Sequence, residues 1–137
     1  MRATILFTGL LIICVTACVW AEVPPLAPEQ KRELASHIVT GKVAQVFSAQ
    51  EDSGKGFVNT VYAIELSITE IEKGEKLEKE QTIYVKCWRA SKRPSGWAGP
   101  SGQHQIPKAG DVVKVFMTAD KGVFNALSPN GIEIAKP

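Results

Sequence analysis

Apolar and polar residues alternate along several short segments of this chain, and a period of two is typical of a β-strand with one buried face. The clearest such segment covers about residues 59–71, where Tyr62, Ile64, Leu66 and Ile68 share one face. The same pattern predicts strands at about 37–48, 81–88, 111–119, 123–127 and 132–134. Residues 49–58 are predicted to form a hairpin-like turn, marked by Ser53-Gly54 and Lys55-Gly56. Because polar turns also separate the other segments, the chain is predicted to be mainly β.

The alternation also assigns side chains to the two faces of each strand. In the first strand, one face is expected to hold Val39, Gly41, Val43, Gln45 and Phe47, with a bulge or sharp bend at Gly41. In the third strand, the buried face is expected to be Ile83, Val85 and Cys87, opposite Tyr84, Lys86 and Trp88. In the fourth strand, the buried face is expected to be Val113, Val115 and Met117.

These strands predict a small antiparallel sheet of five or six strands that closes into a barrel, which would leave few sheet edges exposed. An open sandwich is the alternative. Residues 22–36 precede the barrel as an extended, proline-rich segment followed by a short helix over 28–36, because Pro28 suits the first turn of a helix. We expect the barrel domain to cover residues 37–137.

Residues 1–21 have the pattern of a secretion signal. Arg2 is their only charge, an apolar run follows, and Ala21 fits a cleavage site that leaves Glu22 as the first residue. The run is shorter than the roughly 20 clean apolar residues that a membrane anchor needs. We therefore expect a secreted or periplasmic protein. The alternative is a lipoprotein, since residues 15–18 resemble a lipobox in which Cys18 is acylated and attaches the protein to the membrane.

Charge and cysteine content exclude several classes of protein. The chain has 16 basic and 14 acidic residues, and the leader contains only Arg2, so 15 basic and 14 acidic residues remain after cleavage. A net charge of +1 provides no strong field for nucleic acid or an anionic membrane, so neither is expected as a partner. Cys87 is the one cysteine beyond the leader, which rules out an internal disulfide framework.

Three segments of the chain resemble a known family: HIVTGKVAQVF (37–47), TVYAIELSITEIEKGEKL (60–77) and IPKAGDVVKVFMTADKGVFNAL (106–127). Their order is similar to the netrin-like domain, the oligosaccharide/oligonucleotide-binding (OB) type of barrel found in tissue inhibitors of metalloproteinases. The chain also resembles small secreted bacterial proteins of unassigned function that share the GPSG…IPKAGD run. The resemblance implies an OB-like barrel. Those inhibitors use an N-terminal cysteine and several disulfides, which Glu22 and the lone Cys87 do not provide, so their activity is not implied.

The segment 88–104 (WRASKRPSGWAGPSGQH) is the strongest candidate for a binding site. It combines two tryptophans with basic residues and no acid, and long irregular loops in compact domains are often functional. We expect its contact residues to be Trp88, Arg89, Lys92, Arg93, Trp97 and His104. The expected ligand is a protein or a glycan. The alternative is that the tryptophans only cap one end of the barrel.

Catalytic and metal-binding patterns are weak. Cys87, His37 and His104 are the soft ligand candidates beyond the leader, and they are scattered, so we expect no metal and no cofactor. Cys87 is expected to be a buried, inert thiol. We therefore expect a non-enzymatic binding or inhibitor-like module. Two alternatives remain: an envelope-associated structural protein without a discrete ligand, and a thiol enzyme that uses Cys87 and His104.

Overall fold

A computed structural model describes residues 23–136 of this protein. The predicted leader and the alternative lipid site at Cys18 lie outside the described residues. The described part contains α1 (Pro28–Leu34), β1 (His37–Gly54), β2 (Phe57–Lys73), β3 (Thr82–Lys92), β4 (Val112–Asp120), β5 (Val123–Ala126) and β6 (Ile132–Ile134). No helix in this part of the chain has the length and apolar character needed to cross a bilayer.

The strands form one sheet that closes on itself. They are hydrogen-bonded in the order β1-β2-β3-β5-β4, β4 returns to pair with β1, and β6 adds to the other edge of β4. The predicted barrel is thus confirmed, with a short N-terminal helix, and the open sandwich is excluded. One pair corrects the expectation of a fully antiparallel sheet, because β3 and β5 run parallel.

The interior of the barrel is filled by side chains that the alternation predicts to be buried. The core consists of Val39, Val43, Ile64, Leu66, Ile68, Ile83, Val85, Cys87, Val113, Val115, Met117 and Ile132. Full burial of one Val, Leu or Ile side chain contributes about 1.5–3 kcal/mol, so this cluster dominates the stability of the closed sheet. Leu77, in the charged turn between β2 and β3, also packs against it.

The first strand departs from its predicted alternation. Gln45 and Phe47 were expected on the same face as Val43, but Val43 is buried, Gln45 is exposed and Phe47 keeps 48% of its surface accessible. The cause is a register shift between Val43 and Gln45, where one extra residue reverses which side chains face inward. Val46, which pairs with Ile64, packs against the core instead.

A second shift in β1 lies at Gly41, as the sequence predicts. A Cβ atom at this position would lie only 2.4 Å from the carbonyl oxygen of Ser67 on β2. Only glycine allows the two strands to approach this closely at the bend.

β1 and β2 form a long hairpin of 18 and 17 residues. A broad turn over 49–58 was expected, but the turn consists only of Lys55 and Gly56, whose φ angles of 55° and 82° suit a two-residue hairpin. β3 also continues beyond its predicted end at Trp88, to Lys92, which pairs with Val58. The end of β1, the start of β2 and the end of β3 therefore lie side by side and carry the candidate site.

The N-terminal helix packs near β4. A small second cluster joins Ala35 and Ile38 to Phe116 of β4. The buried Lys31 places its ammonium group 4.7 Å from the centroid of the Phe116 ring and pairs with Glu133. The helix therefore covers an apolar part of the barrel wall.

Glu72, near the end of β2, links the helix to β4. Its carboxylate accepts hydrogen bonds from Lys114 at 2.6 Å and from Arg32 at 3.0 Å. These bonds, first that from Lys114, hold the pKa of Glu72 below its ordinary value. Because the side chain is 38% exposed, solvent screens the pairs and they contribute less than about 1 kcal/mol.

Candidate binding face

The outer surface of the three strand ends carries the candidate site. Strand pairing places side chains in rows across β1, β2 and β3: Phe47–Ala63–Lys86, Ala49–Val61–Trp88 and Glu51–Asn59–Ala90. We call this surface the outer face. Aromatic side chains on β1 and β3 flank small or branched residues on β2, so the face is apolar at its centre and polar toward the hairpin turn.

Arg93 lies between two aromatic rings at the end of β3. Its guanidinium carbon is 5.5 Å from the ring centroid of Phe57 and 5.9 Å from that of Trp88. Contacts of this kind contribute about 0.5–1 kcal/mol each at exposed sites. Arg93 therefore joins the start of β2 to the middle of the outer face.

The same guanidinium group is held by hydrogen bonds. It donates to the carbonyl oxygens of Val58 at 3.2 Å and Lys92 at 2.9 Å, and to Oδ1 of Asn59 at 2.5 Å. Its Nε is buried and has no hydrogen-bond partner among the described residues. Arg93, predicted as a ligand contact, is thus used mainly to build the site.

Trp97 lies at the outer end of this stack. Its ring packs edge-to-face on Phe57, with centroids 5.0 Å apart and an angle of 90° between the planes. A Cβ atom at Gly99 would lie 2.3 Å from the Trp97 ring, so glycine is required for this packing. Trp97 keeps 42% of its surface exposed and is therefore an oriented aromatic group that a ligand can reach.

A groove of about 400 Å³ lies beside Trp88 and reaches from β1 to β5. It is lined by Glu51, Asn59, Val61, Lys86, Cys87, Trp88, Asn125 and Ala126. Between residues 23 and 136, no hydrogen bond or ion pair engages the side chains of Glu51, Lys86 or Asn125. The carboxylate accepts, the ammonium group donates, and the amide of Asn125 does both, so the groove offers donors and acceptors around one aromatic ring.

Basic residues surround the face unevenly. Arg89 and Lys92 are exposed, and residues 81–110 contain no Asp or Glu. Arg89 follows Trp88 in the strand, so its side chain leaves the opposite side of the sheet, and its backbone bridges to Gly102. Of the predicted cations, Arg93 packs against Phe57 and Trp88, whereas Arg89 does not share the face of Trp88 and Lys92 pairs with Val58 across a register shift.

His104 lies apart from the aromatic stack. Its backbone N–H donates to the carbonyl of Pro129 at 2.8 Å. Its exposed side chain lines a separate depression with Lys31, Asn130 and Glu133. The structure thus brings together Trp88, Arg93 and Trp97 but not His104.

Several residues of the face were not predicted from the sequence. Phe57 fell in the expected turn, and Asn59, Glu51 and Asn125 come from three different strands. The strand register that brings them together depends on a bulge and on a parallel pair, neither of which alternation can reveal. The one available signal was Lys86, which alternation places on the same face as Trp88.

Cys87 is buried, and burial raises the pKa of its thiol to about 12. The thiol is therefore protonated at neutral pH, which argues against its use as a nucleophile. Among the described residues, no three His, Cys, Asp or Glu side chains are grouped closely enough to hold a metal ion.

Comparison of the chain with protein-family models, curated proteins and solved structures found no match. The resemblance to the netrin-like domain therefore stays a prediction based on its sequence motifs.

Proposed function

We propose that this protein is a secreted, non-enzymatic binding module that holds a glycan in the groove beside Trp88. One observation carries the proposal: the ring of Trp88 is flanked by the side chains of Glu51, Lys86 and Asn125, which have no hydrogen-bond partner in the described part of the chain. Unpaired donors and acceptors around an apolar surface are the usual composition of a small-ligand site.

The chemistry of the groove suits a sugar. A sugar ring offers a patch of C–H groups that packs on an aromatic face, and hydroxyl groups that both donate and accept hydrogen bonds. Glu51 accepts, Lys86 donates, Asn125 can do either, and Asn59, whose Oδ1 accepts from Arg93, offers its amide N–H groups. Barrels of the OB type bind oligosaccharides as well as oligonucleotides on the face formed by their second and third strands.

Charge favours a glycan over a nucleic acid. A phosphate backbone needs a surface of donors and cations, and the carboxylate of Glu51 in the same groove would repel it. The net charge of +1 expected after cleavage adds no long-range attraction. A neutral polyhydroxylated ligand fits this balance better.

The predicted site residues then have different roles. Trp88 is the stacking surface in the groove, and Arg93 fixes the position of Trp88. Trp97 extends the aromatic surface for a longer ligand. Arg89 and His104 face other directions and are not expected to contribute.

The test is a glycan array probed with the processed protein, residues 22–137. We expect hits whose binding is lost in Trp88→Ala and in Asn125→Ala, and is kept in His104→Ala, the matched control from the same predicted segment. Thermal unfolding of each variant checks that the barrel is retained.

An array without hits, or hits that survive both groove substitutions, would contradict the proposal. The envelope-associated structural protein, with or without a lipid on Cys18, predicts no hits. A thiol enzyme predicts instead that Cys87→Ala abolishes turnover, which the buried thiol does not favour.

A further inference from the structure

Within residues 23–136, the second half of β1 is paired on one side only. β1 pairs with β4 only through residues His37 to Lys42, and Val43 exchanges backbone hydrogen bonds with Asp111 and Gly110. Beyond that point, residues 44–54 pair with β2 on one side, and no strand or loop among residues 23–136 pairs with them on the other. Unpaired strand edges of this length readily accept another strand.

The direction of the free backbone groups follows from the neighbouring ladder. The carbonyl of Val58 accepts hydrogen bonds from side chains of Ser91 and Arg93, so it faces β3. Because backbone groups alternate along a strand, the N–H and C=O of Asn59 point to β1, as do those of every second residue after it. The residues of β1 that pair with these positions therefore point their backbone groups to β2. The residues between them point their N–H and C=O groups away from β2, toward the unpaired edge: Val46, Ser48, Gln50 and Asp52.

The composition of this edge does not protect it. Natural sheets usually block an open edge with proline, lysine or an inward charge. Residues 45–50 (QVFSAQ) contain none of these, and Phe47 is 48% exposed on the same strand. The two acids, Glu51 and Asp52, come only near the hairpin turn.

We propose that a second copy of this chain pairs with this edge, β1 against β1 in antiparallel orientation, across a two-fold axis at Ser48. In this register, Phe47 lies opposite Ala49 of the second copy, a large side chain against a small one, at both symmetric positions. Glu51 lies opposite Gln45, and Asp52 opposite Ala44, so no like charges meet. Val46 and Gln50 exchange backbone hydrogen bonds across the interface.

A register centred on Ala49 is less favourable. It would place Phe47 against Glu51 of the second copy and would leave the apolar ring beside a carboxylate. The match of the large Phe47 to the small Ala49 selects the axis at Ser48. This dimer does not depend on the proposed glycan site, and it would place two outer faces side by side in one sheet.

The test is sedimentation equilibrium of the processed protein, residues 22–137, over a wide concentration range without ligand. We expect a monomer–dimer equilibrium. Ser48→Pro removes an outward N–H and leaves the bonds to β2 intact, so it should raise the dimer dissociation constant at least about tenfold.

Charge exchange tests the register independently of proline. Phe47→Lys alone should weaken the dimer, and adding Ala49→Glu should restore it, because each lysine then faces a glutamate of the second copy. A strictly monomeric protein, or a dimer unaffected by both Ser48→Pro and Phe47→Lys, would overturn the proposal. Val123→Lys is the matched control, since it changes an exposed apolar residue on β5, outside the strand proposed to pair.

Discussion

Arg93→Ala should destabilise the fold and disorder the outer face. The substitution removes the partly buried hydrogen bonds to Val58 and Asn59 and the contacts with the rings of Phe57 and Trp88. Two hydrogen bonds at about 1 kcal/mol each and two ring contacts at about 0.5 kcal/mol each predict a loss of about 2–3 kcal/mol. At this chain length the melting temperature changes by about 4 °C per kcal/mol, so it should fall by roughly 8–12 °C.

Urea and thermal unfolding, followed by circular dichroism and tryptophan fluorescence, measure this effect. Lys92→Ala is the matched control, because removing this exposed side chain should change the free energy of unfolding by less than about 0.5 kcal/mol. Arg93→Lys should lie between the two, since an ammonium group keeps the charge but not the planar fork. If Arg93→Ala cost no more than Lys92→Ala, the role of the guanidinium as the centre of the stack would be refuted.

Three further outcomes are expected. Cys87 should react with a thiol reagent only on unfolding, and rapid labelling of the native protein would contradict this. Burial raises the pKa of Cys87 to about 12 from an ordinary value of 9.0, so the stability linked to this thiol is complete below pH 9 and falls as the pH rises toward 12. Gly102→Ala should lower the free energy of unfolding in urea by more than about 2 kcal/mol, since the φ of Gly102 is +83° and a Cβ would lie 2.2 Å from the carbonyl of Trp88. Gly96→Ala, at φ +76° with no atom near the added Cβ, should lower it by about 1 kcal/mol, and equal losses would refute the steric effect at Gly102. The ion pairs of Glu72 should stabilise the wild type by less than about 1 kcal/mol above pH 4.5, and this contribution should disappear as the pH falls through the lowered pKa of Glu72. Glu72→Gln should lack this contribution at every pH, so identical pH profiles of urea unfolding would count against the ion pairs.

The architecture could be predicted because alternation is a local property. The buried faces of β2, β3 and β4 follow directly from the period of two, and they define the interior of the barrel. The prediction for the first strand was wrong at Gln45 and Phe47, because a single extra residue in the strand reverses its two faces and cannot be recognised from the composition. The turn at Lys55–Gly56 was predicted too long because residues 49–54 (AQEDSG), although mostly polar, extend the strand instead of ending it.

The candidate site could be predicted only in part. Trp88, Arg93 and Trp97 lie within ten residues of one another, so composition alone could bring them together as a hypothesis. Phe57 and Asn125 reach the same surface through strand pairing, which depends on the closure of the whole sheet. His104 was included because it is near in sequence, but the chain turns away toward Pro129 before reaching it.

The most direct test of the binding face is an NMR titration of the processed protein with an oligosaccharide identified on the array. The chain contains three asparagines, of which Asn59 and Asn125 line the groove and Asn130 lies beside the helix. We predict that the side-chain amide signals of Asn59 and Asn125 and the indole signal of Trp88 shift on binding, while that of Asn130 stays unchanged. Shifts centred on Asn130 and His104, with the Trp88 indole unmoved, would contradict the account.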